Sequence, residues 1–229
     1  ESMLGYSNGS INKILKDTRQ YSKFIPRRIL KDASFKVIAW YEENQANLPG
    51  IDYIMETQRD YSFGVNGSHM FGYTKEISSE MLRKKKGDYE MGDNIGFNGI
   101  EKTYEEYIRG TKGIKYVLVD SKQKTIGRYK NGETDKPAEK GYDLILSIDK
   151  DAQVMAESLF VGKRGSVVAI EPSTGEVIAF LSSPGYNLAD FASVTSNKIW
   201  SDLNNDPEKP LFNRATMSIY SPGSTYKML

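Results

Sequence analysis

Two residues near the end of the chain have the types and the spacing of a nucleophile and its base. Ser224 stands three positions before Lys227, in the segment Ser221-Pro-Gly-Ser-Thr-Tyr-Lys227. This segment is typical of the start of a helix, and residues three apart on a helix share a face. A hydroxyl and an amine meet on such a face, which is the arrangement that a serine nucleophile with a lysine base requires.

The pattern Ser-x-x-Lys alone is weak evidence, because it occurs four times in the sequence. The other occurrences begin at Ser10, Ser121 and Ser147. A short motif of this kind is most often a solvated surface pair. The fourth occurrence differs in its context, since Tyr-Ser-Pro-Gly precedes it and Pro210-Leu-Phe-Asn-Arg-Ala215 lies upstream. We therefore take Ser224 and Lys227 as the candidate catalytic residues.

Length and composition indicate a globular protein and exclude several kinds of site. A chain of 229 residues can form one large domain or two modest ones. The 31 basic and 30 acidic residues give a net charge of +1, so no overall basic field indicates nucleic acid as a partner. The absence of cysteine excludes disulfides and thiolate metal sites. The single histidine, His69, argues against a histidine-based metal site or a Ser-His-Asp triad.

The chain shows no targeting or membrane segment of its own. No apolar run approaches the ~20 residues that a membrane-spanning helix needs, and no signal peptide is visible. The first residues, Glu1-Ser-Met-Leu-Gly5, resemble the middle of a longer protein. We therefore expect both ends to be cut.

Apolar spacing in residues 1–140 predicts several short helices with serine N-caps. They are predicted to start at Ser10, to run from Phe35 to Asn44, and to start at Ser78. The second is expected to bury Phe35, Ile38 and either Tyr41 or Ala39. A further amphipathic helix is predicted to end before Gly110, which stands where a C-terminal glycine belongs. Its inward face is expected to carry Ile100, Tyr104, Tyr107 and Ile108.

Strands and turns are also predicted in this part. Alternation at period two predicts a strand over residues 51–61. Residues 114–119 and 125–129 are expected to form a hairpin. Residues 131–141 are polar and contain Gly132 and Pro137, which is typical of a linker.

The last part of the chain has longer apolar runs. A short buried strand is predicted over residues 144–148, and Asp149 can cap a helix that ends at Gly162. This helix is expected to bury Val154, Met155, Leu159 and Phe160. Residues 165–170 and 176–181 flank a Pro/Gly turn and are expected to pair as a hairpin. Residues 217–229 return to a helical pattern, interrupted by Pro-Gly.

Further motifs precede the serine and lysine in a fixed order. They are Arg59-Asp-Tyr61, His69-Met-Phe-Gly-Tyr73, Gly96-Phe-Asn-Gly-Ile-Glu-Lys-Thr-Tyr-Glu105 and Tyr107-Ile-Arg-Gly110. Together with the two segments around Ser224, they resemble the class B penicillin-binding proteins. They are closest to the elongation type of that class, the penicillin-binding protein 2 group. The resemblance covers nearly the whole chain in order, which makes it more specific than any single motif.

The resemblance implies an α+β fold with two domains. Residues 1–140 would form an extended, dimerisation-type pedestal with a non-catalytic, interacting role. Residues 141–229 would form the first part of a transpeptidase α/β sandwich. The whole protein would be anchored by an N-terminal transmembrane helix, which would place these domains in the periplasm, at the extracytoplasmic face of the bacterial cytoplasmic membrane.

The resemblance also implies a reaction, the cross-linking of peptidoglycan in cell-wall synthesis. Ser224 would attack the penultimate D-alanine carbonyl of a D-Ala-D-Ala stem peptide, with Lys227 as the base. The acyl group would then pass to an amine on a neighbouring stem. The backbone N–H of Ser224 would form half of an oxyanion hole, and a β-lactam would acylate the same serine. No metal or nucleotide cofactor is implied.

The chain departs from the family pattern in several places. Ser221, Tyr226 and the pair Phe97-Asn98 replace more usual residues, and they leave the serine and lysine intact. The later motifs Ser-x-Asn and Lys-Thr-Gly, which complete the site in this family, do not follow Lys227. We therefore expect residues 1–229 alone to be inactive.

Other functions fit parts of the sequence. Residues 1–140 carry no plausible set of catalytic groups, so they are candidates for an interaction platform that binds a membrane-anchored scaffold or a glycan polymerase. A pull-down would separate this role from that of a passive spacer. A β-lactam sensor or a serine β-lactamase shares Ser-x-x-Lys but lacks the long pedestal.

Overall fold

The computed structural model describes residues 1–17, 27–61, 64–85, 89–90, 92–121, 125–193 and 195–228. Within these residues, short helices alternate with two-stranded antiparallel sheets, as an α+β fold predicts. The α-helices are α1 (Ser10–Asp17), α2 (Phe35–Asn44), α3 (Ser68–Phe71), α4 (Ser79–Lys84), α5 (Gly99–Thr103), α6 (Glu105–Ile108), α7 (Lys150–Leu159), α8 (Asn197–Asn205) and α9 (Arg214–Met217). The strands are β1 (Thr74–Glu76), β2 (Asn94–Gly96), β3 (Val117–Val119), β4 (Thr125–Arg128), β5 (Gly165–Ile170) and β6 (Val177–Ser183).

The chain forms two compact units, and each combines two separate segments. One comprises Glu1–Thr57 and Gly110–Gly141, and the other comprises Gln58–Arg109 and Tyr142–Leu229. Residues 58–109 therefore pack with the C-terminal part of the chain, although they precede it by more than thirty residues. The predicted boundary between residues 140 and 141 stays a prediction.

In the first unit, α1 starts at Ser10, as predicted, but Glu1 supplies the cap. The backbone N–H groups of Gly9 and Ile11 donate to the two carboxylate oxygens of Glu1, at 2.8 and 2.9 Å. These N–H groups lie at the start of the helix, where they have no partner within it. The same hydrogen bonds hold the pKa of Glu1 below its usual value.

Helix α2 has the predicted bounds, with Ser34 at the N-cap position, but only part of the predicted buried face. Tyr41 is buried, and its hydroxyl donates to the carbonyl of Ile51 at 2.8 Å. Phe35, in contrast, is 85% exposed, so its predicted burial is wrong. Helical side chains lean toward the N-terminus. Phe35 is the first residue of the helix and therefore leans beyond its end.

The predicted strand over residues 51–61 is wrong. These residues form neither a helix nor a strand, and Ile54 and Met55 are exposed. A strand requires backbone pairing with a neighbour, and an alternating pattern does not itself supply that neighbour.

The predicted hairpin of this unit is confirmed. β3 and β4 are antiparallel, with Val117 opposite Arg128. The predicted linker over residues 131–141 is more ordered than expected, because Lys136 pairs with Ile114 and Glu139 pairs with Thr111. These isolated bridges tie the polar segment to the residues that precede the hairpin.

In the second unit, the predicted single helix before Gly110 is two short helices. Tyr104 lies between α5 and α6, with backbone angles outside the helical region. The predicted face is wrong for Tyr104 and Tyr107, which are exposed, whereas Ile100 and Ile108 are partly buried. The fully buried residues are Glu101 and Glu105. Gly110 adopts the left-handed conformation, as a C-terminal glycine should.

Specific partners explain why the two carboxylates are buried. Glu105 accepts hydrogen bonds from the backbone N–H of Gly96 at 2.6 Å and from the hydroxyl of Tyr89 at 3.0 Å. Glu101 accepts one from the guanidinium of Arg59 at 3.0 Å. Burial raises the pKa of Glu101, and the charge of Arg59 only partly opposes this. Buried charged groups are tolerated when they are hydrogen-bonded in this way.

Gly96→Ala is expected to destabilise this unit by about 2 kcal/mol, because overpacking of a tight site has this order of effect. A Cβ at Gly96 would overlap the carbonyl oxygen of Glu101, which belongs to the backbone of α5 and cannot swing aside. Urea unfolding of the two proteins measures the difference. Gly127→Ala is the control, since a Cβ there meets no atom within 4 Å. Equal effects of the two substitutions would contradict this explanation.

The C-terminal hairpin is confirmed, whereas the strand predicted before it is wrong. β5 and β6 pair antiparallel, with Gly165 opposite Ser183. Residues 144–148 do not form a strand, and Ile145 is 99% exposed. As at residues 51–61, the apolar pattern has no partner strand among the described residues.

Helix α7 is capped as predicted but buries a different face. The side chain of Asp149 accepts from the backbone N–H of Ala152 at 2.9 Å. Met155 and Leu159 are exposed, and Gln153 is fully buried. The amide of Gln153 donates to the carbonyl of Phe180 at 3.0 Å and accepts from its N–H at 2.8 Å. Two bonds to the backbone of β6 therefore orient the helix.

An aromatic core joins the two segments of the second unit. Tyr73, Tyr186, Leu188 and Phe191 are buried together. The rings of Tyr73 and Phe191 lie 4.3 Å apart between centroids. Trp200 on α8 packs against the same cluster. Residues 58–109 thus contribute directly to the core that supports the C-terminal segment.

Candidate active site

The predicted nucleophile and base lie one turn apart on a short 3-10 helix. This helix is Gly223–Met228, and both Ser224 and Lys227 are exposed on it. A 3-10 helix has about three residues per turn, so side chains at i and i+3 stand directly above each other. Gly223 has a positive φ of 58°, a conformation that glycine adopts without strain. The expected helix after Pro-Gly is present as a 3-10 helix, whereas the helical pattern predicted from residue 217 is wrong for residues 218–222, which are not helical. The catalytic roles stay predictions.

A tightly bonded turn lies upstream of this helix, directly before α9. It comprises residues 208–214 and is held from inside by the buried side chain of Arg214. The guanidinium of Arg214 donates to the carbonyls of Lys209, at 3.1 Å, and of Glu208. It also reaches the carbonyl of Phe212 at 3.4 Å. A single buried cation thus donates to three carbonyls, which keeps the turn closed.

Ser182 joins this turn to strand β6. Its hydroxyl donates to the carbonyl of Phe212 at 3.3 Å and accepts from the backbone N–H of Arg214 at 2.9 Å. Helix α9 begins at this point, and the side chain of Asn213 caps it by accepting from Ala215 at 3.1 Å. The start of α9 is therefore attached to the sheet by hydrogen bonds as well as by packing.

His69 holds the same turn from the other side. Its Nε2 lies 2.8 Å from the carbonyl of Pro210, and both residues are buried. Because a carbonyl only accepts, Nε2 carries the hydrogen. The ring packs edge-on against Tyr186, with centroids 5.1 Å apart. Burial lowers the pKa of His69, the charge of Arg214 adds to this, and the bond to Pro210 opposes it.

The stability of the fold is expected to decrease as the pH falls below about 6.5, the ordinary pKa of histidine. In this range the unfolded chain binds a proton at His69, whereas burial in the folded state resists it. The contribution of neutral His69 to the free energy of unfolding is therefore complete above the pKa of the unfolded chain. It is lost as the pH falls through the lowered pKa of the folded state. Urea unfolding between about pH 5 and pH 7.5 measures it.

His69→Gln is the matched variant for this pH dependence. His69 is the only histidine in the sequence, so no other imidazole contributes in this range. The variant is expected to lose the slope below pH ~6.5 while it keeps a donor toward Pro210. An unchanged slope in the variant would contradict the assignment to His69.

A small polar cavity of about 110 Å³ lies beside His69. It is bounded by α7 and β6 and by the residues before α3. Glu157 on α7 accepts there from the backbone N–H groups of Asn66 and Gly67, both at 2.9 Å. Within the part of the chain that the structure describes, no group of three or more histidine, aspartate and glutamate side chains is placed to hold a metal ion.

The sequence indicated the candidate nucleophile and base but missed the polar residues that hold the segments before them. Gln153 lies off the apolar stripe of α7, and no periodic signal marks it as buried. His69 and Arg214 lie within the quoted motifs, so their importance was visible but their contacts were not. Their hydrogen-bond partners lie in other elements, or in a turn that no pattern predicts.

Among the described residues, no helix is both long enough and apolar enough to cross a bilayer.

Two protein-family models match the chain in succession. Residues 2–146 match the penicillin-binding protein dimerisation domain. Residues 165–229 match the penicillin-binding protein transpeptidase domain. The second match contains the hairpin β5–β6, the turn held by Arg214, and both candidate catalytic residues.

Curated relatives carry the same name in several bacteria. The peptidoglycan D,D-transpeptidase MrdA of Acinetobacter baumannii is 36% identical over 83% of this chain and 28% of its own length. That of Escherichia coli K12 is 30% identical over 99% of this chain and 36% of its own length. The chain thus spans about a third of the length of these relatives.

Solved structures of penicillin-binding protein 2 are similar to this one. A complex of that protein with MreC from Helicobacter pylori has a TM-score of 0.72 and 26% identity, and covers 95% of this chain and 43% of the solved one. The Pseudomonas aeruginosa protein in complex with WCK 5153 has a TM-score of 0.62 and 32% identity, over 77% of this chain and 34% of the solved one. The predicted family and fold are confirmed, and the chain belongs to the penicillin-binding proteins, with a dimerisation domain followed by the start of a transpeptidase domain.

Proposed function

We propose that this protein is a serine-type peptidoglycan D,D-transpeptidase, which cross-links stem peptides through an acyl intermediate on Ser224. The observation that carries the proposal is the exposed pair Ser224 and Lys227, one 3-10 turn apart inside the transpeptidase match. The name of the curated relatives, peptidoglycan D,D-transpeptidase MrdA, supports the same reaction.

The chemistry requires a proton transfer at each step. Lys227, in its neutral form, takes the proton of the Ser224 hydroxyl as the oxygen attacks the penultimate D-alanine carbonyl. The C–N bond to the terminal D-alanine then breaks, and that amine leaves with a proton. An amine of a second stem attacks the resulting ester, which releases Ser224 and forms the cross-link. The same oxygen attacks the ring carbonyl of a β-lactam, and the C–N bond of the ring breaks. The leaving amine is part of the same molecule, so it stays attached to the acyl group.

Labelling of the full-length protein with fluorescent penicillin tests the proposal. We expect stoichiometric label that resists denaturation, and mass mapping should place it on the peptide that contains Ser224. Stem pentapeptide added in excess should slow the labelling. Absence of label, or label on a different residue, would overturn the proposed function.

The relatives are cell-wall synthesis proteins, which is consistent with an extracytoplasmic location. We propose that the full-length protein is anchored in the cytoplasmic membrane by an N-terminal transmembrane helix, with its domains in the periplasm. Protease accessibility in spheroplasts measures this. Protection of the domains from external protease would contradict it.

A second role, as an interaction platform for wall-synthesis partners, is supported by one solved relative. The Helicobacter pylori protein was solved in complex with MreC. In this chain, the hairpin β3–β4 carries Val117, Leu118 and Ile126 in exposed positions, which suits a partner surface. Binding of the full-length protein to a purified membrane-anchored scaffold or glycan polymerase tests this role. Leu118→Glu should weaken that binding. Unchanged binding would exclude the hairpin as the partner surface.

A further inference from the structure

Residues 66–69, here called the 66–69 latch, bridge three elements of the second unit. At one end, the N–H groups of Asn66 and Gly67 donate to Glu157 on α7. In the middle, Ser68 accepts from the hydroxyl of Tyr186 through its carbonyl, at 3.0 Å. At the other end, His69 donates to the carbonyl of Pro210. These partners lie between 90 and 141 positions away in the sequence.

The latch fits its surroundings with little free space. Ser68 and His69 are both nearly inaccessible to solvent. A Cβ at Gly185 would come within 2.6 Å of the Ser68 hydroxyl. Glu157 also accepts from the amide of Gln153 at 2.9 Å, and Gln153 is itself bonded to the backbone of β6. The latch, α7 and β6 therefore form one hydrogen-bonded assembly.

This assembly continues toward Ser224 through Pro210. The carbonyl of Pro210 is buried, so His69 is the donor that satisfies it. The turn that contains Pro210 is closed by Arg214 and attached to β6 by Ser182. Helix α9 follows at once, and the helix that carries Ser224 begins six positions after its end, at Gly223. The turn therefore fixes the start of α9, from which the chain continues to the candidate active site.

We propose that the 66–69 latch is a positioning element of the transpeptidase site and that His69 is its positioning residue, which holds the turn before Ser224 through the carbonyl of Pro210. The inference rests on the proposed function and adds to it a residue that positions the site.

His69→Leu and His69→Gln in the full-length protein test the proposal. Leucine removes the donor, whereas glutamine can place an N–H close to the position of Nε2. Acylation by fluorescent penicillin is followed at several concentrations, which separates the rate constant of the covalent step from the constant for reversible binding. We expect His69→Leu to slow the covalent step about tenfold, with reversible binding unchanged. His69→Gln should stay within about threefold of the parent.

Other results would overturn the proposal. An unchanged covalent step in folded His69→Leu would show that the latch does not position Ser224. An equal loss in both variants would attribute the effect to ring packing rather than to the donor. A change confined to reversible binding would indicate a substrate contact. If the parent protein is not acylated, the proposed function is wrong. If the parent is acylated and both His69 variants are acylated at the same rate, only the role of the latch is wrong.

If His69→Leu does not fold, a second pair of variants tests whether the latch positions Ser224. Glu157→Gln replaces an acceptor oxygen by a donor amide that faces the N–H of Asn66, and it should slow the covalent step several-fold. Asp151→Asn is the matched control, since it removes a carboxylate from an exposed position on the same helix. Thermal unfolding of both shows that they are folded. Equal acylation by these two variants would overturn the latch.

Discussion

Replacing Ser224 with alanine in the full-length protein is expected to abolish covalent labelling by penicillin and to remove transpeptidation. The alanine variant has no oxygen to form the acyl bond, so the loss should exceed about 10⁴-fold, as for other serine nucleophiles. Folding should be unaffected, because the side chain is exposed on a short 3-10 helix. Gel fluorescence after incubation with labelled penicillin measures the first effect, and release of D-alanine measures the second.

Ser221→Ala is the matched control, because Ser221 is an exposed serine in the same segment. It should label like the parent. Persistent label in Ser224→Ala, or its loss in Ser221→Ala, would remove Ser224 as the nucleophile.

Lys227→Arg separates the base from the positive charge. Arginine keeps the charge but does not release its proton in proteins. If Lys227 is the base, the variant should lose about 10²–10⁴-fold in acylation rate, the usual contribution of a positioned base. Acylation close to the parental rate would leave Lys227 with an electrostatic role only.

Arg214→Ala is expected to destabilise the second unit by about 1–3 kcal/mol, the cost of leaving a polar group without its hydrogen-bond partner. The substitution leaves the carbonyl of Glu208 without its donor and removes one of two donors from the carbonyls of Lys209 and Phe212. Water that enters the opened turn reduces this cost. Urea unfolding, followed by the fluorescence of Trp200 on α8, measures the effect.

Two further variants control for charge and size. Arg164→Ala removes an exposed arginine near the start of β5 and should change stability by less than about 0.5 kcal/mol. Arg214→Lys keeps the charge but lacks the planar fork of donors, so it should fall between parent and alanine variant. Equal stabilities for Arg214→Ala and Arg164→Ala would show that the turn does not depend on the guanidinium.

Local signals in the sequence predicted two caps and several elements correctly, whereas Glu1 rather than Ser10 caps α1 and Ser34 makes no side-chain cap hydrogen bond. Ser78 caps α4 and Asp149 caps α7, each by accepting a backbone N–H three residues later. The hairpins β3–β4 and β5–β6 were also predicted. These features depend on neighbours within a few positions, which a single sequence displays directly.

Helix faces were predicted less well, because periodicity counts apolar residues only. In α7 the expected face is exposed, and Gln153 is buried against β6. In α5 and α6 the buried residues are Glu101 and Glu105 rather than Tyr104 and Tyr107. A polar side chain is buried when it satisfies several backbone groups at once, and helical spacing carries no information about those groups.

The sequence by itself determined the candidate nucleophile, its base and the family, because each depends on residue types in linear order. Only the tertiary structure decided how the segment before Ser224 is held. The contacts of His69 with Pro210, and of Glu157 with Gly67, join residues 141 and 90 positions apart. Such partners become visible only when burial removes water and forces each polar group to find a specific donor or acceptor.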